Sequence, residues 1–367
     1  MKNGFLSRSV LALAGLAAGL ATATPAQAEI EWNGFGSGYY GQSLKNDILP
    51  YGFTDQYGDF TAFSLLGLNL SSKMSDELSA AAQIVAQSNT PNENWGLVAK
   101  WGYLTYSPSN SFSFKVGRQL YPIFFESEFS SVGFLLPYRA VPGALQNVLP
   151  FPAFDGVAAI YKTDTGIGRL RLNLFGGTGN LNLSKFSGVG TVSGSVHDVI
   201  GLAADLDGDG WGVHAAYSRN RHDLSIATGF GALDFKENVE NFSVGYRLEK
   251  FNIVNWAEYF YQRNTEDRPA LNMARAGYVL LGYRLGAFLP RYMFVHQQAN
   301  IVPVFPGQAQ NNHVIGLNYQ LSPQAVLKAE YEMGKVADGY GPASASRAQT
   351  STATDIQAVY AGIDFIF

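Results

Sequence analysis

The charged side chains of this sequence mostly stand singly, and they do not form groups that could carry out covalent chemistry. No Gly-x-Ser-x-Gly elbow, phosphate-binding loop or pair of catalytic carboxylates occurs at a recognisable spacing. The run DLDGDG (205–210) has the wrong spacing for a twelve-residue calcium loop and is typical of a hairpin turn. The histidines lack the paired spacing of a zinc site; they are His197, His214, His222, His296 and His313. We therefore expect no enzyme, no metal site and no cofactor.

What such isolated charges can do is create an electric field along a polar surface. Arg169 and Arg171 alternate with leucines, and Lys100 lies opposite the face that carries Trp101 and Tyr103. The same alternation assigns further cations to the polar face of their segments. The set is Lys100, Lys115, Arg169, Arg171, Arg247 and Lys328.

The segments that carry these charges are about ten residues long, which is the length that a tilted strand needs to cross a membrane. The last segment, Asp355 to Phe367, shows the alternation best. Apolar residues occupy every second position from Val359 onward, whereas Tyr360 and Asp364 lie on the other face. This period of two predicts β-strands with two different faces, in a soluble sandwich or in a membrane barrel.

The connections between the segments decide between these two architectures. Seven short turns alternate with eight longer loops, which predicts sixteen strands in an up-and-down meander. Short turns on one rim and long loops on the other are typical of an outer-membrane barrel. The prediction is one all-β domain, residues 29–367, that forms a closed transmembrane antiparallel β-barrel.

A membrane barrel also gives the alternating cations a direction. A lysine or arginine that faces lipid at the midplane costs about 2–4 kcal/mol. The six cations are therefore expected to line the lumen.

The N-terminus and the composition fit export. Residues 1–28 have a basic start, an apolar run and the small-residue site Ala26-Gln27-Ala28, as a secretory signal peptide does. Removing this peptide would leave 23 basic residues against 29 acidic ones, and such an acidic chain is a poor binder of nucleic acid. The chain contains no cysteine, so neither disulfides nor thiolate metal sites stabilise it.

One connection is unlike the others. The stretch from about 120 to 153 is rich in Pro, Phe and Leu, and its charged residues are Glu126, Glu128 and Arg139. Loops of this length without regular structure are uncommon and are usually functional. We expect it to fold into the lumen and to narrow it. Glu126 and Glu128 would face the passage, and Arg139 would either face it too or fix the loop to a wall carboxylate.

Three stretches resemble the general porins of Gram-negative outer membranes. They are the C-terminal AVYAGIDFIF, the segment KWGYLTYSPSNSFSFKVGRQ (100–119), and the long loop after it, which corresponds to the third loop of the family. The resemblance implies a passive diffusion channel, usually trimeric, whose third loop sets acidic residues against a basic wall. The implied partners are outer-membrane lipid, small hydrophilic solutes and ions, and two further copies of the chain.

Three other functions remain open at this stage. A substrate-selective channel would use the aromatic loop as a binding strip at its constriction. A lipid hydrolase would need a Ser–His dyad, and an adhesive barrel would have a blocked lumen. The sequence does not predict ion preference, because lumenal acids nearly cancel the wall cations; these acids are Glu249, Glu330, Glu332 and Asp364.

Overall fold

The fold is taken from a computed structural model of the chain. The structure describes residues 29–45, 58–60, 63–89, 94–142, 145, 151–182, 192–228, 231–265, 271–301, 308–337 and 355–367. The predicted signal peptide, residues 1–28, lies outside the described residues.

The described residues form sixteen β-strands. In chain order they are β1 (Ile30–Ser43), β2 (Leu65–Lys73), β3 (Leu78–Asn89), β4 (Asn94–Tyr106), β5 (Phe112–Leu120), β6 (Ala153–Asp164), β7 (Arg169–Asn182), β8 (Val192–Gly208), β9 (Trp211–Thr228), β10 (Gly231–Lys250), β11 (Ile253–Asn264), β12 (Leu271–Tyr283), β13 (Phe288–Ile301), β14 (Gln308–Ser322), β15 (Ala325–Ala337) and β16 (Asp355–Ile366). Two short 3-10 helices, Ser127–Phe129 and Gly133–Leu135, lie between β5 and β6.

The strands form one closed antiparallel sheet in which each strand pairs with its neighbours in the chain and β16 pairs with β1. At this seam Phe35 lies opposite Ile366, and Ser43 lies opposite Ala358. Closure pairs the backbone groups that an open sheet would expose to lipid. The predicted all-β barrel of sixteen strands is therefore confirmed. Among the described residues, no helix has the length and apolar character needed to cross a membrane.

The two faces of the sheet differ as the alternation predicts. Leu174 is 53% exposed whereas its neighbour Asn173 is 5% exposed. On the last strand Asp364 is fully buried inside the barrel, and the terminal Phe367 is exposed on the outside. The outer surface is therefore apolar, and the inner surface carries the polar and charged side chains.

The short turns are tight hairpins. Between β8 and β9 the turn consists of Asp209 and Gly210, and Gly210 has a φ of +73° that favours glycine. The run DLDGDG thus ends in a hairpin turn, as predicted. One predicted long connection is wrong: residues 220–240 continue β9 and β10, which pair from Asn220–Val239 up to Thr228–Gly231. The strands extend beyond the apolar band, where both faces meet water and the alternation that marks a strand disappears.

A β-bulge in β4 exchanges the faces of this strand at Lys100. The register with β3 shifts between Ala99 and Trp101, so Lys100 is the extra residue. The Trp101 and Tyr103 rings stack at 5.2 Å, and the Lys115 ammonium lies 4.2 Å from the Tyr103 ring centroid. The prediction of an outer face for Trp101 and Tyr103 is wrong, because one inserted residue reverses the parity. Trp95 and Leu97 before the bulge are exposed on the outer face, so the alternation that leads up to Lys100 still favours the lumen, and its assignment stays a prediction.

Candidate channel and the segment inside the barrel

The connection between β5 and β6 contacts the inner face of the barrel on two opposite sides. We call its described residues 121–142 the inner segment. Near its start, the Ile123 carbonyl lies 3.1 Å from Nε2 of His214 on β9. Farther along, the Gly133 carbonyl accepts a hydrogen bond from Lys328 on β15 at 2.7 Å. The inner segment therefore extends across the interior from one wall to the other.

Tyr121 begins the inner segment and is fully buried. Its hydroxyl contacts the Ser218 hydroxyl and accepts hydrogen bonds from the amides of Asn220 (3.4 Å) and Asn241 (3.3 Å). Burial raises the pKa of Tyr121 to about 12. This single side chain joins the inner segment to β9 and β10.

The aromatic residues that follow pack against β11 and β12. Phe124 is 8% exposed, and its ring meets Phe260 at 5.3 Å in a T-shaped contact. Tyr138 makes similar contacts with Trp256 (6.2 Å) and Tyr278 (5.6 Å). Such edge-to-face pairs stabilise beyond the area that they bury. The aromatic side chains thus hold the segment on the wall.

Glu126 is fully buried and has no exposure to the passage, contrary to the prediction. Its carboxylate accepts hydrogen bonds from the hydroxyls of Tyr138 (2.7 Å) and Tyr278 (3.4 Å). Glu258, which accepts a hydrogen bond from the Phe125 amide at 2.7 Å, lies close to Glu126. Among the described residues neither carboxyl group pairs with a lysine or arginine. Glu126 therefore helps to hold the segment.

On the opposite wall, Lys328 binds the backbone of the inner segment. Its ammonium donates hydrogen bonds to the carbonyls of Gly133 (2.7 Å), Leu136 (2.8 Å) and Tyr138 (2.9 Å). The Asp364 carboxylate lies 2.7 Å from the same ammonium and balances its charge. A side chain on Gly133 would clash with Asp364 and the Ser37 hydroxyl, so glycine is required at this close approach.

Arg139 fixes the segment to a wall carboxylate. Its backbone N–H and its Nε donate to Glu330 at 2.8 and 3.2 Å, and Nη2 lies 3.8 Å from Glu332. The guanidinium lies 3.7 Å from the ring centroids of both Phe63 and Tyr360. Of the two roles considered for Arg139, these contacts favour attachment.

A cavity of about 410 Å³ lies between the inner segment and the inner face of β4–β10, toward the short turns. Its lining carries four cations and three carboxylates; these are Lys115, Lys162, Arg171, Arg247, Glu128, Asp205 and Asp207. Such a polar space suits water and ions.

The charges of this cavity are partly paired. Arg171 binds Glu128 of the inner segment and lies 3.4 Å from Asp205. Arg247 lies 2.9 Å from Asp207. The described residues provide no carboxylate partner within ion-pair distance for Lys115 or Lys162.

The sequence pattern does not predict Lys162 as a lumenal cation. The preceding inward positions of β6, Ala158 and Ile160, are apolar and lie under the inner segment, so the strand lacks the polar face that would mark its lumenal side.

Arg169 lies at the strand end beside a short turn, where it pairs with Asp164 at 3.1 Å and both side chains are exposed. Arg169 therefore belongs to the rim and not to the cavity.

The closed barrel, its apolar outer face and its charged interior define a transmembrane channel of the β-barrel class. Residues 12–339 match the family model described as Gram-negative porin. The chain belongs to this porin family. It is an integral protein of the bacterial outer membrane that forms a channel for passive diffusion, and its family is one of channels and not of enzymes.

Solved structures of outer-membrane proteins have the same fold. Salmonella typhi OmpF in complex with daunomycin is 14% identical, with a TM-score of 0.61 over 93% of this chain and 98% of that one. The anion-selective porin from Comamonas acidovorans is 13% identical, with a TM-score of 0.57 over 93% and 100%. A trimer form of Vibrio cholerae OmpT is 16% identical, with a TM-score of 0.57 over 93% and 99%. At these identities the likeness shows the fold alone. No curated protein matches the sequence.

Proposed function

We propose that small hydrophilic solutes and ions pass between the inner segment and the wall of β4–β10. Glu128 on the segment lies across from a basic wall formed by Lys115, Lys162 and Arg171. The inner segment narrows the lumen and sets the size limit, and the facing charges create a transverse field that favours polar solutes.

The observation that carries the proposal is the excess of positive charge in the cavity. Four cations face three carboxylates, and Lys115 and Lys162 are the two without a carboxylate partner among the described residues. An uncompensated lysine in a narrow passage raises the local concentration of anions. The channel is therefore expected to conduct both ions with a modest preference for anions.

A planar bilayer with a tenfold KCl gradient tests this proposal. The wild type should give stepwise conductance. Its reversal potential should have the sign that corresponds to a preference for chloride over potassium. The double variant Lys115→Gln/Lys162→Gln should move this potential toward cation preference, and Glu128→Gln should move it the other way. Lys250→Gln, an exposed lysine at a short turn, is the control and should change nothing. Folded protein without conductance, or variants without a shift, would contradict the proposal.

A second candidate is a substrate-selective channel. It is favoured by the stacked rings of Trp101 and Tyr103, which lie beside the Lys115 ammonium on the inner wall. A flat ring pair next to a cation suits a solute with an apolar face and an anionic group. Such a solute should block conductance at saturating concentration, and Trp101→Ala should weaken the block. If no solute blocks the conductance in a saturable way, the protein is a general channel and not a substrate-selective one.

We propose further that the channel catalyses no reaction, as its family membership suggests. Purified protein should release no fatty acid from phospholipid.

The signal peptide 1–28 is proposed on its sequence pattern, and the mature protein should begin at Glu29 when its N-terminus is sequenced.

A trimer is proposed on the resemblance, supported by the trimer form of the Vibrio cholerae structure. Native mass spectrometry in detergent should give three times the mass of one chain.

A further inference from the structure

The outer face of the barrel carries a row of arginines at the side formed by β9–β12. Arg219 shares the face of Tyr217, which is 47% exposed, while its neighbours Ser218 and Asn220 are buried inside. Arg263 likewise shares the face of the exposed Tyr259 on β11, and Arg275 shares the face of the exposed Val279 on β12. We call Arg219, Arg263 and Arg275 the arginine row. Because these side chains point away from the lumen, they have no part in the passage.

The height of the row can be estimated from the strands. Arg219 follows the start of β9 at Trp211 by eight residues, and Arg263 follows the start of β11 at Ile253 by ten. With a rise of about 3.3 Å per residue and a tilt of about 40°, both lie about 20–25 Å from the short-turn rim. The apolar band of such barrels is about 25 Å tall. The row therefore lies at the long-loop edge of the membrane, which is the cell-surface side because the short turns of such barrels face the periplasm.

Aromatic side chains lie immediately on the membrane side of the row. Tyr217 precedes Arg219 by two residues, and Phe242 and Tyr259 share its face; all three are more than 40% exposed. Tyrosine and phenylalanine at this position form the interfacial girdle of a barrel, next to lipid headgroups. A molecule that reaches the arginines from this side has an apolar part in the membrane and a polar part at the interface.

The row carries more positive charge than its neighbours neutralise. Glu240 binds Arg263 at 2.6 Å and accepts a hydrogen bond from the Tyr217 hydroxyl at 3.0 Å. Arg275 donates to the neutral amide oxygen of Gln298 at 2.8 Å. Arg219 lies opposite Glu240 across the strand pair and makes no ion pair among the described residues. Among the described residues, these three cations thus share one carboxylate at the edge of the lipid.

At the edge of the apolar band a lipid-facing cation costs far less than at the midplane, so the arginines can stay charged there and attract an anion from the interface. Guanidinium groups bind phosphate in a bidentate manner and keep their charge at every physiological pH. We propose that the arginine row binds the phosphate groups of the phosphorylated glycolipid, lipopolysaccharide, that forms the outer leaflet around the barrel. The acyl chains of this lipid would rest on the aromatic girdle below.

A second cluster above the row has a different composition. Arg221 pairs with Asp198 at 3.0 Å and lies 3.5 Å from Asp223. These carboxylates could instead hold a divalent cation that bridges to phosphate. The two modes differ in one respect that can be measured: direct binding by arginine survives a chelator, and bridging by a cation does not.

The test uses full-length protein in detergent micelles, purified from cells, refolded without lipid and titrated with purified lipopolysaccharide in native mass spectrometry. The variant is Arg219→Gln/Arg263→Gln/Arg275→Gln. The control, Lys73→Gln/Arg169→Gln/Lys250→Gln, removes the same charge from side chains at the short turns that each pair with an aspartate. Each membrane-facing arginine is expected to contribute roughly fivefold, so the triple variant should bind about a hundredfold more weakly. Its single-channel conductance should equal that of the wild type and show that it is folded.

The proposal predicts that wild type and control bind alike, in EDTA as well as without it. It also predicts that removing the phosphates from the lipid weakens binding as much as removing the arginines. The affinity of the wild type for dephosphorylated lipopolysaccharide should not exceed the affinity of the triple variant for the intact lipid. Equal binding of the intact lipid by wild type and triple variant would overturn the proposal. Loss of wild-type binding in EDTA would also overturn it, in favour of a bridging cation. These readouts do not depend on which ions the channel prefers.

Discussion

The two walls that hold the inner segment do so by different chemistry. On β9–β12 the contact consists of buried aromatic rings with a few hydroxyl groups, such as Tyr121, Phe124 and Tyr138. On β13–β16 and β1 it consists of buried charges in balance. Lys328, Arg291 and Arg139 face Asp364, Glu330 and Glu332 there. We call the first wall the aromatic anchor and the second the ionic anchor.

This difference shows which part of the inner segment each wall recognises. The aromatic anchor depends on side chains of the segment, because its contact area comes from their rings. The ionic anchor binds the segment largely by its backbone, since Lys328 donates to three carbonyl oxygens, and it adds one side chain, Arg139, that pairs with Glu330. The aromatic wall therefore depends more on the residue types of the segment, and the ionic wall depends more on the path of its backbone.

The largest effect is expected from Lys328→Ala. This change leaves the Asp364 carboxylate buried without its ammonium and frees three carbonyls, and breaking a buried pair in this way costs about 3–5 kcal/mol. The free energy of opening of the inner segment, measured by native-state hydrogen exchange, should fall by this amount. Lys335→Ala on the outer face of the same strand is the control. Equal protection in both variants would show that the ionic anchor does not hold the segment.

A somewhat smaller effect is expected from Phe124→Ala in the aromatic anchor. The change leaves a cavity against Phe260 and should cost about 3 kcal/mol of the same opening free energy. Phe114→Ala, which removes an exposed ring from the outer face, should cost far less. If both phenylalanine variants lost the same protection, ring packing would not account for the aromatic anchor.

Tyr121→Phe tests the polar part of the aromatic anchor. At neutral pH the lost hydroxyl contacts should cost about 1 kcal/mol. The pKa of Tyr121 is raised to about 12 in the folded protein, above the value of about 10 in an unfolded chain. The hydroxyl's contribution is thus complete below about pH 10 and disappears as the pH rises to about 12, by up to about 1.4 kcal/mol per pH unit. The wild type should lose its advantage over the phenylalanine variant across this range, as urea unfolding at pH 9 and pH 11 would reveal. Parallel pH profiles would contradict the burial of this hydroxyl.

The smallest effect is expected from Glu126→Gln. The amide oxygen can still accept the Tyr138 hydrogen bond, and the amide N–H₂ can donate to Glu258. The opening free energy should therefore stay within about 1 kcal/mol of the wild-type value or rise. Glu330→Gln, which weakens pairs with two arginines, should cost considerably more. A large loss in the Glu126 variant would show that its negative charge is needed.

Much of the fold could be predicted from the sequence for a local reason. Alternation is a property of each strand by itself, and lipid forces the apolar half outward, so the strand number and the two faces follow from the pattern. The prediction failed where alternation is interrupted. The bulge at Lys100 reversed the faces of Trp101 and Tyr103 without any mark in the sequence, and the polar ends of β9 and β10 looked like a loop.

The sequence by itself determined that the protein is a closed outer-membrane barrel with charges inside, because the period and the connection lengths are local features. Only the tertiary structure decided what each charge does. Glu126 and Glu128 are two residues apart, yet one is buried beside Glu258 and the other pairs with Arg171 across the cavity. The partners of Lys328 are backbone carbonyls, which have no sequence signal. Partners of this kind depend on which strands face each other across the barrel, and this is fixed only when the sheet closes.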